Sequence, residues 1–284
     1  MRTKRPDAGS TAVALMFSSF LVVFTLVTVY LFLARVWPLS DVRIWFPPAT
    51  TDFGTQIDSQ FHRTLLITGT VFVLAQFGLA LAIFKFRDHG QTASYVEGNS
   101  TMEFVWTLGT VILFVGLGFY GEHAWAEAHF QGAAPGALVV ELTGQQFAWN
   151  FRYAGPDGKW GRLLPELVSA STGNPLGLDP RDPAGKDDIV SPVMYVPVGR
   201  EVELLIRTQD VTHSFYVREL RLKQDAVPGM VITMHFNPTV IGQYEIACAE
   251  LCGLGHYRMR SFLNVVSQAD YDQWVKDQEA ALTQ

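Results

Sequence analysis

The sequence predicts a membrane-anchored α plus all-β protein: transmembrane helices first, then an antiparallel sandwich or barrel, then a short C-terminal helix. Three observations carry this reading. Long uncharged runs dominate the first 125 residues, short β-rich runs fill the remainder, and the final stretch changes to helical spacing.

Residues 8–34 include TAVALMFSSFLVVFTLVTVYLFLA, residues 64–84 read TLLITGTVFVLAQFGLALAIF, and residues 104–121 read FVWTLGTVILFVGLGFYG. A hydrocarbon core about 30 Å thick is crossed by about 20 apolar helical residues, so each run can span it. Packed soluble helices rarely stay uncharged on every face for so long. The first run has two readings, an uncleaved anchor or a signal peptide with Arg2, Lys4 and Arg5 as its basic region. Its apolar segment is longer than the roughly 7–15 residues of a signal core, and no small-x-small cleavage site follows it. Lys85 and Arg87 follow the second run. With both basic clusters inside, residues 38–62 and everything after 122 lie outside, in an oxidising compartment. The expected organisation is an extra N-terminal span over 1–37, an exterior segment 38–62, a helical hairpin 63–125 and an exterior domain 126–284.

The exterior half carries 13 Lys/Arg against 19 Asp/Glu, which accounts for the whole formal net charge of −6. An acidic domain on an apolar base suits a basic soluble partner and argues against nucleic acid. Its runs, among them ALVVELTGQQFAWNFRY, EVELLIRT, HSFYV and GQYEIACA, are rich in Val, Ile, Tyr and Phe. Gly, Pro, Asn and Asp separate them, as strands of a sandwich or barrel require. Residues 155–190 are rich in Gly, Pro and Asp and read as a long surface loop. The end, SQADYDQWVKDQEAAL, reads as a helix capped by Ser267, with Asp270 completing a capping-box pattern.

The two cysteines of the chain, Cys248 and Cys252, lie in CAELCGLGHYRM with His256 and Met259 close behind. Thiolate, imidazole and thioether are soft to borderline ligands that favour copper or zinc. A mononuclear blue-copper site needs two histidines, one cysteine and a weak axial methionine; His213, opening HSFYV, supplies the second histidine. That leaves Cys248 in excess. Two thiolates can instead bridge two metal ions, each taking one histidine, with Met259 and a backbone carbonyl between the cysteines as weaker ligands. Two cysteines four apart could also form a simple disulfide.

The pattern His213, Cys248-x-Glu250-x-Cys252-x3-His256-x2-Met259, with DVTHSF, LKQDAVPG and the helix pair before the β domain, resembles the dicopper (CuA) signature of cytochrome c oxidase subunit II. The resemblance runs from about residue 63 to the end. It implies a cupredoxin-type Greek-key β-barrel whose two copper ions are held by His213, Cys248, Cys252, His256, Met259 and the Glu250 main chain. It also implies a Mg²⁺, shared with subunit I, that the Glu250 side chain reaches. The implied role is a subunit of a proton-translocating oxidoreductase of the bacterial cell membrane. Electrons come from a c-type cytochrome, soluble or membrane-held, and pass to haem in subunit I, which also holds CuB. Oxygen is reduced to water there; subunit III is a further expected partner.

Three further inferences rest on the same resemblance. Glu103, in an E-x-x-W-T match, would mark the mouth of a proton path into subunit I, where the bland reading is a carboxylate favoured by a helix N-terminus. In GQQFAWNFRY, Phe147 takes the place of a family tryptophan through which electrons enter, and Trp149 matches a second. Phenylalanine lacks the indole N–H, so the usual docking partner is in doubt. For Trp149 and Tyr153, barrel core is an equal reading. Asp210, Lys223 and Asp225 match positions near the copper loop, against a reading as loop hydrogen bonds and surface ion pairs. His62, His89, His123, His129 and His235 sit in no motif.

Rival functions come from other classes. A membrane-anchored copper-delivery or thiol-disulfide protein would place C-x3-C at the start of a helix in a thioredoxin-like fold, not late in an all-β domain. A quinol-oxidising relative would lack the copper ligands, and mononuclear copper would not need Cys248.

Overall fold

The computed structural model describes residues 8–35, 47–88, 92, 95 and 97–282. Arg2, Lys4, Arg5, His89 and residues 38–46, on which part of the topology reading rests, lie outside the described residues. The chain divides into two compact units: residues 59–121 belong to one with the N-terminal helix, while Pro48–Asp58 join Glu122–Gln284 in the other.

Among the described residues, three helices are long and apolar enough to cross a membrane: α1 (Ala8–Arg35), α2 (Asp52–Lys85) and α3 (Ser100–His129). Phe20, Leu74 and Phe114 are among many large apolar side chains exposed along them. Such a surface needs lipid or other subunits to cover it. Among the described residues of the unit that holds the spans, the buried positions are small ones, Ser18 and Thr25 on α1 and Ala80 on α2. Small residues let membrane helices approach closely, and both hydroxyls turn back to carbonyls of their own helix, Ser18 to Ala14 and Thr25 to Leu21. Asn99 caps α3 by accepting from the Met102 N–H at 3.1 Å.

Helix α2 starts at Asp52, well before the apolar run, because a polar first stretch is held by the β unit rather than by hydropathy. Thr51 Oγ1 donates to the Leu220 carbonyl at 3.0 Å, and Arg221 forks onto Asp58 at 2.7 and 2.9 Å. A bidentate guanidinium–carboxylate pair is among the stronger polar contacts a protein makes.

The β unit is a two-sheet sandwich. One sheet combines β1 (Leu138–Gln145), β2 (Ala148–Tyr153), β3 (Ile189–Ser191), β5 (Val202–Thr208) and β8 (Ile232–Phe236) in the order β3-β2-β1-β5-β8. The other combines β4 (Met194–Pro197), β6 (His213–Val217), β7 (Leu222–Ala226), β9 (Gly242–Cys248) and β10 (Arg260–Val266) in the order β4-β10-β9-β6-β7. The β1–β5 and β4–β10 pairs are parallel and the remaining pairs antiparallel. Strand alternation explains the core: Val202, Leu204 and Ile206 point in and are fully buried, as are Val140 and Leu142 of the neighbouring strand. The sandwich and the terminal helix expected from sequence are therefore present.

That helix, α4 (Gln268–Leu282), carries its predicted cap: the Asp270 N–H donates to Ser267 Oγ at 3.1 Å. Trp274 pins it down, stacking on Tyr195 at 4.7 Å and meeting Tyr153 edge-on at 5.0 Å. Residues 155–190 hold no long element, as their composition predicts, yet they are knit by three single-turn 3₁₀ helices and by bridges Leu163–Leu178 and Ser169–Asn174. Asp179, Asp188 and Leu176 of this segment are buried.

Candidate metal centre

The site forms where β6 begins and β9 ends, because the antiparallel register sets Phe215 opposite Cys248. From Cys248 a loop of residues 249–259 returns to β10. It is clasped at its ends: Cys248 N–H donates to the Met259 carbonyl at 3.2 Å, and Ala249 N–H to the Ser214 carbonyl at 2.9 Å. One 3₁₀ turn over His256–Arg258 brings His256 and Met259 to the same side, since residues three apart eclipse in that helix.

All six positions singled out in the sequence converge. Cys248 Sγ lies 3.9 Å from Cys252 Sγ, nearly twice a disulfide bond of about 2.05 Å, and both thiols are free. Each sulfur has its own imidazole: His213 Nδ1 is 3.9 Å from Cys248 Sγ, and His256 Nδ1 is 3.7 Å from Cys252 Sγ. Met259 Sδ sits 3.7 Å from Cys252 Sγ, and the Glu250 carbonyl 3.2 Å from Cys248 Sγ. His213, Cys252 and Met259 are buried, while the Glu250 side chain is exposed. Burial, followed by the neighbouring Cys248, pushes the Cys252 thiol up to about 11. A metal binding here therefore displaces protons to obtain thiolates.

An outer layer orients these donors. Asp210 Oδ1 accepts from His213 Nε2 at 2.8 Å, which leaves Nδ1 facing Cys248. Burial opposes the charge on Asp210, but N–H donors from Gln146, His213 and Val211 outweigh it and hold the carboxyl below its usual range. Gln146 ties two parts of the layer, giving its backbone N–H to Asp210 at 2.7 Å and its side-chain amide to the Cys252 carbonyl at 2.6 Å. Gly144 leaves little room beside them: a Cβ there would stand 3.0 Å from His213 Cδ2 and 3.2 Å from Trp149 Cζ3, so a side chain would press both rings. Sequence reasoning missed Gln146 and Gly144, although both lie in the aromatic segment it singled out.

The aromatic candidates separate. Phe147 lies over the ligand loop, since a Cβ on Gly255 would come within 2.4 Å of its ring. Trp149 is buried, with its ring edge-on to His213 at 5.9 Å. Tyr153 belongs to the core under α4: its hydroxyl accepts from Tyr195 N–H at 2.8 Å and donates to Tyr195 O at 3.0 Å. Lys223 and Asp225 point outward from β7 and are exposed. Glu103 is exposed in the first turn of α3, in the helical unit. His235 faces Glu201 at 2.8 Å, away from any ligand cluster.

The known proteins this chain resembles point one way. The family description "Cytochrome C oxidase subunit II, periplasmic domain" matches residues 182–267, and "Cytochrome C oxidase subunit II, transmembrane domain" matches 39–121. An alternative cytochrome c oxidase subunit 2 of Bradyrhizobium diazoefficiens is 36% identical over 238 residues, covering 83% of this chain and 84% of that one. The chain belongs to the cytochrome c oxidase subunit II family. A cytochrome c oxidase subunit 2 of Thermostichus vulcanus is 28% identical over 319 residues, covering 88% of this chain and 87% of that protein. A crystal structure of the periplasmic domain of Bradyrhizobium japonicum oxidase subunit II is 25% identical, with a TM-score of 0.38, over 53% of this chain and 99% of that one.

Subunit II is part of a haem–copper oxidoreductase complex, so this membrane-anchored chain works beside other oxidase subunits. The family typically binds copper, and the residues present suit it. Two unbridged sulfurs, each beside its own imidazole nitrogen and supplemented by a thioether and a carbonyl, form the soft donor set copper prefers.

Proposed function

We propose that His213, Cys248, Cys252, His256, Met259 and the Glu250 carbonyl hold two copper ions, with both thiolates shared. The observation that carries this is the pairing of each sulfur with a separate histidine Nδ1, at 3.9 and 3.7 Å. A single ion would leave one thiolate without purpose. Such a copper pair supplies one-electron transfer from a c-type cytochrome to haem in subunit I, where oxygen is reduced and protons are translocated. With two thiolates, two imidazoles, a thioether and a carbonyl supplied by the chain, the protein itself would satisfy the bound metal, which suits electron transfer rather than substrate binding.

The chain's own residues do the rest. Asp210 fixes the His213 tautomer, and the Cys248–Met259 clasp keeps the loop from opening when charge changes. Exposed Leu251, Leu254 and Tyr257 on the ligand loop, with Phe147 packed against it, give an apolar contact surface next to the buried sulfurs. Electrons would enter there through Phe147 and Trp149. The exposed Glu250 carboxylate would reach a Mg²⁺ shared with subunit I, and Glu103 would open the proton path. Lys85 at the end of α2 and Arg87 just after it favour a bacterial inner-membrane orientation with the β domain in the periplasm. Subunit III completes the expected assembly.

The test is Cys248→Ser in the assembled oxidase. Oxidation of reduced cytochrome c should fall at least ~100-fold while subunit I keeps its haem spectrum. Activity retained within about twofold would remove the proposal.

A further inference from the structure

The outer face of the first sheet carries Glu141 and Thr143 on β1, Asn150 and Arg152 on β2, and Arg207 on β5. An outward sheet face normally meets water, but Glu141, Thr143, Asn150 and Arg152 are all buried. The segment 155–190 lies over them. Arg152 donates to the Gly161 carbonyl and to Asp188, its guanidinium sits 5.1 Å from the Trp160 ring, and Gly161 N–H donates to Asp188 at 3.0 Å. Glu141 stands between two guanidiniums, 3.6 Å from Arg152 and 3.2 Å from Arg207. Two cations and two anions therefore balance under the cover.

Beside this cluster the cover does not close on the sheet. A cavity of about 420 Å³ remains. Leu163, Pro165, Val168 and Leu176 form one wall, and Thr143 and Arg207 face it from the sheet. Thr143 is 2% exposed, yet its Oγ1 has no hydrogen-bond partner among the described residues, and neither does Arg207 Nε. A buried polar group left without a partner is unfavourable, so two unpaired donors beside one cavity call for an acceptor. Gln209 holds the cavity's edge, donating to the Pro175 carbonyl at 3.0 Å. The volume lies within the range of small-molecule sites, roughly 300–1,000 Å³.

We propose that this cavity is a binding site for a small monocarboxylate with a short apolar body. The carboxylate oxygens accept from Thr143 Oγ1 and Arg207 Nε, and the hydrocarbon lies against Leu163, Pro165, Val168 and Leu176. Arg207 is the cation at the wall and already shares its charge with Glu141, so the two unpaired donors, rather than an excess of positive charge, hold the carboxylate. The wall also connects to the partner of a candidate ligand, since Thr208 Oγ1 lies 3.3 Å from Asp210 Oδ1, which holds His213.

The experiment is calorimetric titration of hexanoate into the full chain in lipid nanodiscs. Saturable binding at one site is expected. Val168→Phe fills the cavity from an exposed rim, touches none of the ion cluster, and should abolish the binding. Thr143→Val should weaken it roughly 5- to 10-fold without lowering the Tm, because it removes an unpaired hydroxyl. Hexan-1-ol should bind about 10-fold more weakly than hexanoate. Absence of saturable heat up to ~10 mM hexanoate, equal binding by V168F, or hexan-1-ol binding as tightly as hexanoate would each overturn the proposal.

Discussion

Asp210 Oδ1 stands 2.8 Å from His213 Nε2, on the opposite side of the ring from the nitrogen that faces Cys248 Sγ. The carboxylate therefore selects which nitrogen is free to ligate. Outer-layer partners of this kind are worth roughly 10- to 100-fold in metal affinity. Asp210→Asn keeps an acceptor but removes the charge, and should weaken copper retention about 10-fold; Asp210→Ala should cost more. Competition with a chelator at fixed pH measures both, and unchanged retention in the alanine variant would show that the contact orients nothing.

Phe147 and Gly255 are matched by size. A Cβ on Gly255 would meet the Phe147 ring at 2.4 Å, although the φ of −92° at that residue suits any side chain. Gly255→Ala should then cost about 1–3 kcal/mol, by crowding alone. Adding Phe147→Ala should recover part of that loss, seen as a positive coupling in thermal unfolding of the four-member cycle. Additive losses would mean that the ring does not rest on the loop.

Trp274 anchors α4 on Tyr195 and Tyr153, neither of them a candidate ligand. Trp274→Ala should cost about 2–4 kcal/mol for a large, partly buried aromatic, while copper per folded chain stays the same. A loss of copper without loss of Tm would contradict the separation of these two regions.

Asp179 holds the covering segment 155–190 together. Hydrogen bonds from Arg181, then from Arg162, lower its carboxyl to about 2. A depressed folded-state pKa adds stability that is complete above the unfolded value near 3.8 and lost as pH falls towards 2. Protease cutting within 155–190 should therefore rise between about pH 4 and 2, and Asp179→Asn should flatten most of that rise, with Asp182, also held below its usual range by N–H donors from Arg162 and Ala184, leaving a smaller dependence. A wild-type cutting rate that is flat across the window would exclude Asp179 as the clasp.

Much of the site was legible because five of its six ligand positions fall within Cys248 to Met259, where spacing alone places them on one loop. The spans were legible for a similar reason, since hydropathy is a local property. What the sequence concealed is long-range. Nothing local to Gln146 says that its N–H meets Asp210 or that its side chain reaches the Cys252 carbonyl across the sandwich. The start of α2 at Asp52 was hidden because its first turns are polar and held by Leu220 and Arg221. The polar alternation of Glu141, Thr143, Asn150 and Arg152 reads as a face open to water, and only the structure shows the cover over it.

The central claim, two coppers sharing two thiolates, is tested most directly by copper content and EPR on the reduced full chain after reconstitution and one-electron oxidation. Two coppers per chain, with hyperfine structure from one electron shared equally over two copper nuclei, is the predicted result. A single localised copper, or no copper with a Cys248–Cys252 disulfide, would contradict it.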